Sequence, residues 1–245
     1  MDDPVKWPHP NPAVAMRTKI AKKSISASSR RARPAPKSPK ATRDPDATRL
    51  RIMQSAIEEF STAGFGGARV DRISKRAGTA DRMLYYYYGN KERLFSSVIE
   101  KAYADLLRAE QQLRLDDAEP EDGLRQLIAF TWNYYVEHPE FIRLLNSENL
   151  HQGRNVKRAR RIGALSHPFL HILKQLLNRG AKAGVFRPDA DPVRMYMTIA
   201  ALGYFYLSNR YTLSHFLNFD LMTQANQRDW LAHITTVVMA YLRKA

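Results

Sequence analysis

The chain contains no cysteine. Disulfide staples and thiolate metal sites are therefore excluded, and the absence agrees with a reducing compartment. No apolar run approaches the roughly 20 residues that a membrane-spanning helix needs. There is no Gly-rich phosphate loop, no nucleophile elbow and no HExxH pair, so an enzyme reading finds no support. No internal repeat is evident. Acidic residues are scarce: 24 Asp and Glu stand against 39 Lys and Arg, a net charge of +15 over 245 residues. That excess implies an anionic partner, and by itself it does not choose between nucleic acid and a membrane surface. The length allows one or two domains with a sizeable core.

The first 46 residues are rich in Pro, Ser, Ala, Lys and Arg. Prolines recur at 4, 8, 10, 12, 34, 36, 39 and 45, which rules out long helices. Eleven basic residues against four acidic ones give this stretch a net +7, nearly half of the total. Few apolar groups and many like charges predict a disordered tail. It reads either as a basic arm adding phosphate or minor-groove contacts or as a dispensable leader. Met16 offers an alternative start.

The most informative stretch runs from Ala47 to Leu94. Leu50, Ile52, Met53, Ala56, Ile57 and Phe60 form one face of a helix expected over Thr48–Ala63, ended by Gly64. Val70, Ile73 and Ala77 share a face of a second. Leu84, Tyr85 and Tyr88 share a face of a third, expected over Asp81–Tyr88. Gly78 suits the left-handed residue between the last two, and Thr79 or Asp81 can cap the helix that follows. Two helices joined by a short Gly-containing turn are a helix-turn-helix. Asn90 is placed to cap a fourth helix, reaching about Gln112, whose free N–H groups and Lys91 together suit a phosphate.

Ile52, Ala56, Phe60, Gly64-Phe65, Ile73, Ala77-Gly78, Leu84-Tyr85 and Lys91-Glu92-Arg93-Leu94 resemble the N-terminal domain of TetR-type transcriptional regulators, over roughly Ala47–Ala104. The resemblance implies an all-α fold of nine or so helices. A DNA-binding head, residues 47–104, would be followed by a ligand-binding and dimerisation body, residues 105–245. It implies a homodimer on double-stranded operator DNA in the bacterial cytoplasm, a small-molecule effector, no cofactor and no membrane. The head carries ten basic and six acidic residues. The resemblance places base contacts at Arg82 and Met83, where the family usually has a small residue and a hydroxyl residue. Arg82 can offer paired donors to guanine O6 and N7, and Met83 an apolar contact. Thr79, Tyr86, Tyr87 and Lys91 would add further contacts, mostly to the backbone. Arg69 stands where a capping Thr is common; Asp71 compensates through the helix dipole, and Arg69 gains reach to phosphate. Tyr85 and Tyr88 are expected inward.

Downstream, helices are expected over about 121–137, 139–148 and 162–183, the last with a bend at Pro168. Two more follow over 192–209 and 227–243. The helix from Pro192 is apolar nearly all round and needs cover on every side. The resemblance pairs the last two long helices with those of a second copy, and Tyr206, Trp230, Ile234, Val238 and Tyr241 are the expected interface. Trp132, Tyr135, Phe141, Asn149, Phe169, His171 and Tyr204 are the expected effector-pocket residues, among others that read equally well as core. Asn149, His151, His167 and His171 suit a polar or carboxylate group. His167 and His171 share a face, but with no third ligand no metal site is assigned.

Overall fold

The structure, a computed structural model, describes the backbone of residues 44–158 and 162–243, and side chains there except those of 158–168. Asp44–Asp46, expected in the tail, instead open the first helix, whereas residues 1–43 of the basic tail, the basic side chains at 158–161 and that of His167 lie outside the described residues. Among these, the chain forms ten α-helices: α1 (Pro45–Gly67), α2 (Val70–Arg76), α3 (Asp81–Tyr88), α4 (Lys91–Glu110), α5 (Pro120–Glu137), α6 (Pro139–Leu150), α7 (Ile162–Lys182), α8 (Pro192–Ser208), α9 (Arg210–Phe216) and α10 (Gln224–Leu242). A single 3-10 turn, Val156–Arg158, lies between α6 and α7.

Local chemistry sets most boundaries. Asp44 caps α1 by accepting from the Asp46 N–H at 2.9 Å, with Pro45 at the first position. The helix breaks at Gly64, whose φ of 67° and ψ of 175° are open to glycine and strained for other residues. Gly78 takes φ 64° between α2 and α3. Neither Thr79 nor Asp81 caps α3. Its N-cap is Ala80, without a side-chain hydrogen bond, leaving Asp81 to act through the helix dipole in the first turn. Asn90 does cap α4, accepting from the Arg93 N–H at 2.8 Å. Asp191 caps α8 and Thr223 caps α10 in the same way.

Two apolar clusters organise the chain. The first packs Ile52, Ala56 and Phe60 of α1 against Ile73, Leu84, Tyr88 and the α4 residues Leu94, Phe95, Val98 and Ile99. Leu144 of α6 belongs to this cluster as well. The second is built from α5, α7, α8 and α10 around Leu124, Ile128, Trp132, Leu173, Ile199 and Ile234. Ala102 and Tyr103 of α4 touch both. The far end of the second cluster is closed by Phe186. Its ring lies over Gly180, where a Cβ would come within 1.9 Å, and the neighbouring Arg187 N–H donates to the Leu242 carbonyl at 2.7 Å.

Helix α9 is an addition to the expected set. Asn209 serves both as the end of α8 and as the start of α9, so no Gly or Pro separates them. The chain then turns at Asn218, with φ 49°, before α10.

Candidate nucleic-acid interface and effector cavity

Helix α3 is short and two-faced. Leu84 and Tyr88 are buried, and the Tyr88 hydroxyl donates to the Arg49 carbonyl at 3.0 Å, tying the end of α3 to the start of α1. Burial raises the Tyr88 pKa, so the hydroxyl stays a donor at neutral pH. On the opposite side Asp81, Arg82 and Tyr86 are exposed, Tyr86 at 78%. At about 100° per residue, Tyr85 and Tyr87 fall on either side of the Leu84–Tyr88 face, each about 80° from its centre. Periodicity cannot decide between them. The structure buries the opposite one from that expected: Tyr85 is 49% exposed, while Tyr87 is half-buried, its ring edge-on to Tyr86 at 5.2 Å. Met83, expected outward, is likewise half-buried against the first cluster.

The start of α2 shows why Arg69 can stand where a cap is absent. Its backbone N–H donates to Glu59 Oε1 at 3.2 Å, so a side chain from α1 anchors the residue at the cap position, although α2 itself has no side-chain cap. Glu59 is buried and also lies within 3.7 Å of Arg72 and 3.6 Å of Arg76. Sequence reasoning passed over Glu59. Its signal was a carboxylate three residues after Ala56, at the spacing of the buried face. The Arg69 guanidinium is paired with Asp71 through two bonds of 3.1 and 3.0 Å, both groups solvent-exposed. That pairing raises the arginine pKa and lowers that of the aspartate.

Lys91, at the start of α4, holds its ammonium 5.0 Å from the centre of the Phe65 ring. Thr79 sits half-buried in the turn, its N–H donating to the Ser74 carbonyl at 3.0 Å. Arg49, Tyr86, Tyr87, Asn90, Arg93 and Ser97 flank a groove of about 830 Å³ along α3 and α4. Arg49 and Arg93 add positive charge there that the sequence reading had not assigned to a site.

A second cavity, of about 540 Å³, lies among α4, α5, α6 and α8. Tyr135, Phe141, Asn149 and Tyr204, four of the pocket candidates, line it together with Tyr103, Glu148 and Tyr196. The Tyr204 hydroxyl donates to Asn146 Oδ1 and accepts from Asn149 Nδ2 at 3.4 Å. Burial pushes the Tyr196 hydroxyl up to about 12 and raises those of Tyr103 and Tyr135. All three remain neutral phenols at physiological pH.

Three expected pocket residues lie elsewhere. Trp132 is buried in the second cluster with its ring against Tyr206 at 5.3 Å. Phe169 packs on Tyr196 at 5.4 Å and closes a narrow gap beside Glu110. His171 is exposed on the outer face of α7. A helical stripe reports which residues face inward, not which of two neighbouring spaces they face.

The expected interface residues divide similarly. Tyr206, Ile234 and Val238 are buried within their own chain, and the Tyr206 hydroxyl donates to the Leu221 carbonyl at 2.6 Å. Trp230 is half-buried and donates from Nε1 to the Leu202 carbonyl at 3.2 Å. Tyr241 is exposed, with the Arg187 guanidinium 4.8 Å from its ring centre. The uncovered apolar side chains are instead Val193, Met197 and Phe205 on α8, and Val237 and Tyr241 on α10. Ala232, Thr236 and Ala240 add a small-residue strip on the exposed side of α10. A second apolar cleft, of about 440 Å³, runs beside them between Phe205, Leu213, Leu217 and Trp230.

Comparison with known proteins agrees with this architecture. Residues 52–98 match the family model described as bacterial regulatory proteins, tetR family. Residues 120–238 match that of the tetracyclin repressor-like C-terminal domain. The chain is 46% identical over 199 residues to the HTH-type transcriptional repressor NicS of Pseudomonas putida, spanning 81% of this chain and 94% of that relative. Among solved structures, a transcriptional regulator of Streptomyces coelicolor, SCO4942, superposes with a TM-score of 0.61 at 25% identity, covering 80% of this chain and 98% of that one. The regulator FadR of Bacillus subtilis, solved in complex with stearoyl-CoA, superposes with a TM-score of 0.58 at 21% identity, covering 77% and 98%.

Proposed function

The chain belongs to the TetR family of transcriptional regulators, and from that premise we propose that it is a dimeric repressor released from its operator by a small molecule. The observation that carries this reading is the two-faced α3: Leu84 and Tyr88 anchor it while Arg82 and Tyr86 stand clear on its other side. A helix so held sets its first turn into a major groove, where Arg82 pairs with guanine. Thr79 and Met83 flank that contact. Tyr86, joined by Tyr85 and Tyr87, reaches sugar and phosphate. Lys91 leaves the Phe65 ring, and Arg69 leaves Asp71, for phosphate oxygens at a contacted backbone.

Residues 47–104 then form the DNA-reading head, and residues 105–245 the body that pairs with a second copy. The exposed sides of α8 and α10, rather than the buried Tyr206, Ile234 and Val238, form the seam between copies. Helix α6 supports the regulatory half of the proposal. Asn146 and Asn149 face Tyr204 at the cavity, while Ser147 accepts from the Phe65 N–H at 2.9 Å, one residue beyond the break in α1. A ligand that prefers one setting of α6 thereby biases the head.

The test is fluorescence anisotropy with a genomic operator and a random duplex at matched salt. The expected result is a preference for the operator. Arg82→Ala should relax the choice at one base position by about 1–3 kcal/mol, while Lys91→Ala weakens all duplexes alike. Equal affinity for both duplexes would leave only charge-driven binding and overturn the regulator reading.

A further inference from the structure

The cavity among α4, α5, α6 and α8 has a chemistry of its own. Its walls include Tyr103, Tyr135, Phe141, Tyr196 and Tyr204. Phe141 sits at the centre of this group, 5.7 Å from Tyr103 edge-on and 5.8 Å from Tyr135 in a stacked pair. None of the described lining residues is Lys, Arg or His, and one of them is a carboxylate, Glu148.

Glu148 is only 3% exposed. Its two oxygens accept from the Asn155 N–H at 2.7 Å, the Val156 N–H at 2.8 Å and Asn155 Nδ2 at 2.9 Å. Three converging donors suit the acceptor oxygens of a carboxylate. Yet among the described residues Glu148 has no cationic partner, although buried charges are ordinarily paired. The lysine and arginine side chains nearest in sequence, Arg143, Arg154 and Lys157, are exposed.

Aromatic faces carry negative potential at their centres and attract a cation within about 6 Å, most strongly where water is excluded. A carboxylate at the edge of such a cage supplies the counter-charge. We propose that this cavity takes a ligand bearing a positively charged nitrogen, an organic ammonium or a protonated nitrogen heterocycle, held by the tyrosine walls with Glu148 as counter-ion. The proposal rests on the effector role assigned to the cavity above. It reverses the expectation of a carboxylate ligand, which would face Glu148 and the phenol rings with no basic group among the described wall residues to receive it.

The decisive comparison uses molecules of one shape and different charge. Phenyltrimethylammonium and tert-butylbenzene differ by the exchange of N⁺ for carbon, and benzoate supplies the opposite sign. Each is titrated into the full-length protein by calorimetry or ligand-observed NMR. The expected order is the cation at least tenfold tighter than the neutral isostere, with benzoate weakest. Glu148→Gln should bring cation and isostere close to parity. Tyr196→Leu serves as an independent variant should Glu148→Gln not fold, and it should weaken the cation more than the isostere. Tighter binding of benzoate, parity in the parent protein, or no binding by any of the three would overturn the proposal. The same ligands are then added to the operator complex. If the cation binds and the operator stays bound, the effector reading fails while the ligand class stands. If benzoate binds and releases the operator, the ligand class fails and the effector reading stands.

Discussion

Glu110 ends α4, the helix that runs from the head into the body, and it should make the stability of the protein depend on pH in an unusual direction. It is buried, its Oε2 has no hydrogen-bond partner among the described residues, and it is surrounded by Leu107, Leu115, Phe169 and Ile172, with Gln111 at the edge. Burial alone pushes its pKa from 4.5 up to about 8. Between those values the folded chain holds a proton that the unfolded chain releases, so stability must fall as pH rises through that window. The slope approaches about 1.4 kcal/mol per pH unit, and the accumulated cost at neutral pH is on the order of 3 kcal/mol. Glu110→Gln keeps the size and removes the titration. Urea denaturation of both proteins at a series of pH values gives a difference curve in which the other titrating groups cancel. The variant should gain on the parent steadily from about pH 5 to about pH 8, and a gain of that size would raise the melting temperature by roughly 6–12 °C. The amide brings two donors into an apolar gap, which shifts the whole curve by a constant and leaves the slope untouched. Parallel curves for the two proteins would refute the reasoning.

Three further outcomes are expected. Glu59→Gln removes the charge that holds the start of α2, and should destabilise the head by about 1–3 kcal/mol and weaken binding to every duplex; unchanged affinity and unchanged urea midpoint would count against the assignment. Ser147→Ala leaves the Phe65 N–H without its acceptor, at a cost of about 1–3 kcal/mol. It should also shrink the fold-change in operator affinity that an effector produces, and an identical fold-change would remove α6 from the coupling route. Val237→Asp, on the exposed side of α10, should shift sedimentation toward the monomer, whereas Ile234→Ala should cost about 2–5 kcal/mol of stability and leave the assembly alone. The reverse pattern would restore the interface first expected from the sequence.

Much of the fold was legible because its helices announce themselves by spacing and punctuation. Gly64, Gly78, Asn90, Pro139 and Pro192 stand at or beside observed boundaries. Helix α9 escaped because α8 passes into it through Asn209 with no breaker between them. The cavity was half legible. Tyr135, Phe141, Asn149 and Tyr204 could be proposed from their helices, but nothing in the spacing of α4 or α6 set Tyr103 or Glu148 apart from their neighbours. The proposed seam between copies was least legible, since amphipathic spacing tells that Ile234 and Val238 need cover and is silent on whether their own chain provides it. Their own chain does.

The double allegiance of α6 also bears on how proteins of this kind can be recombined. Leu144 completes the apolar cluster of the head, and Ser147 binds the bend of α1, although both lie beyond position 104 in the chain. A chimera that takes its reading head from this protein and everything after α4 from another would arrive with an empty socket where Leu144 belongs and an orphaned amide at Phe65. A graft that transplants α6 together with α1–α4 keeps both. The natural seam for exchange is therefore drawn in space around part of a later helix, and a cut placed by sequence position alone would miss it.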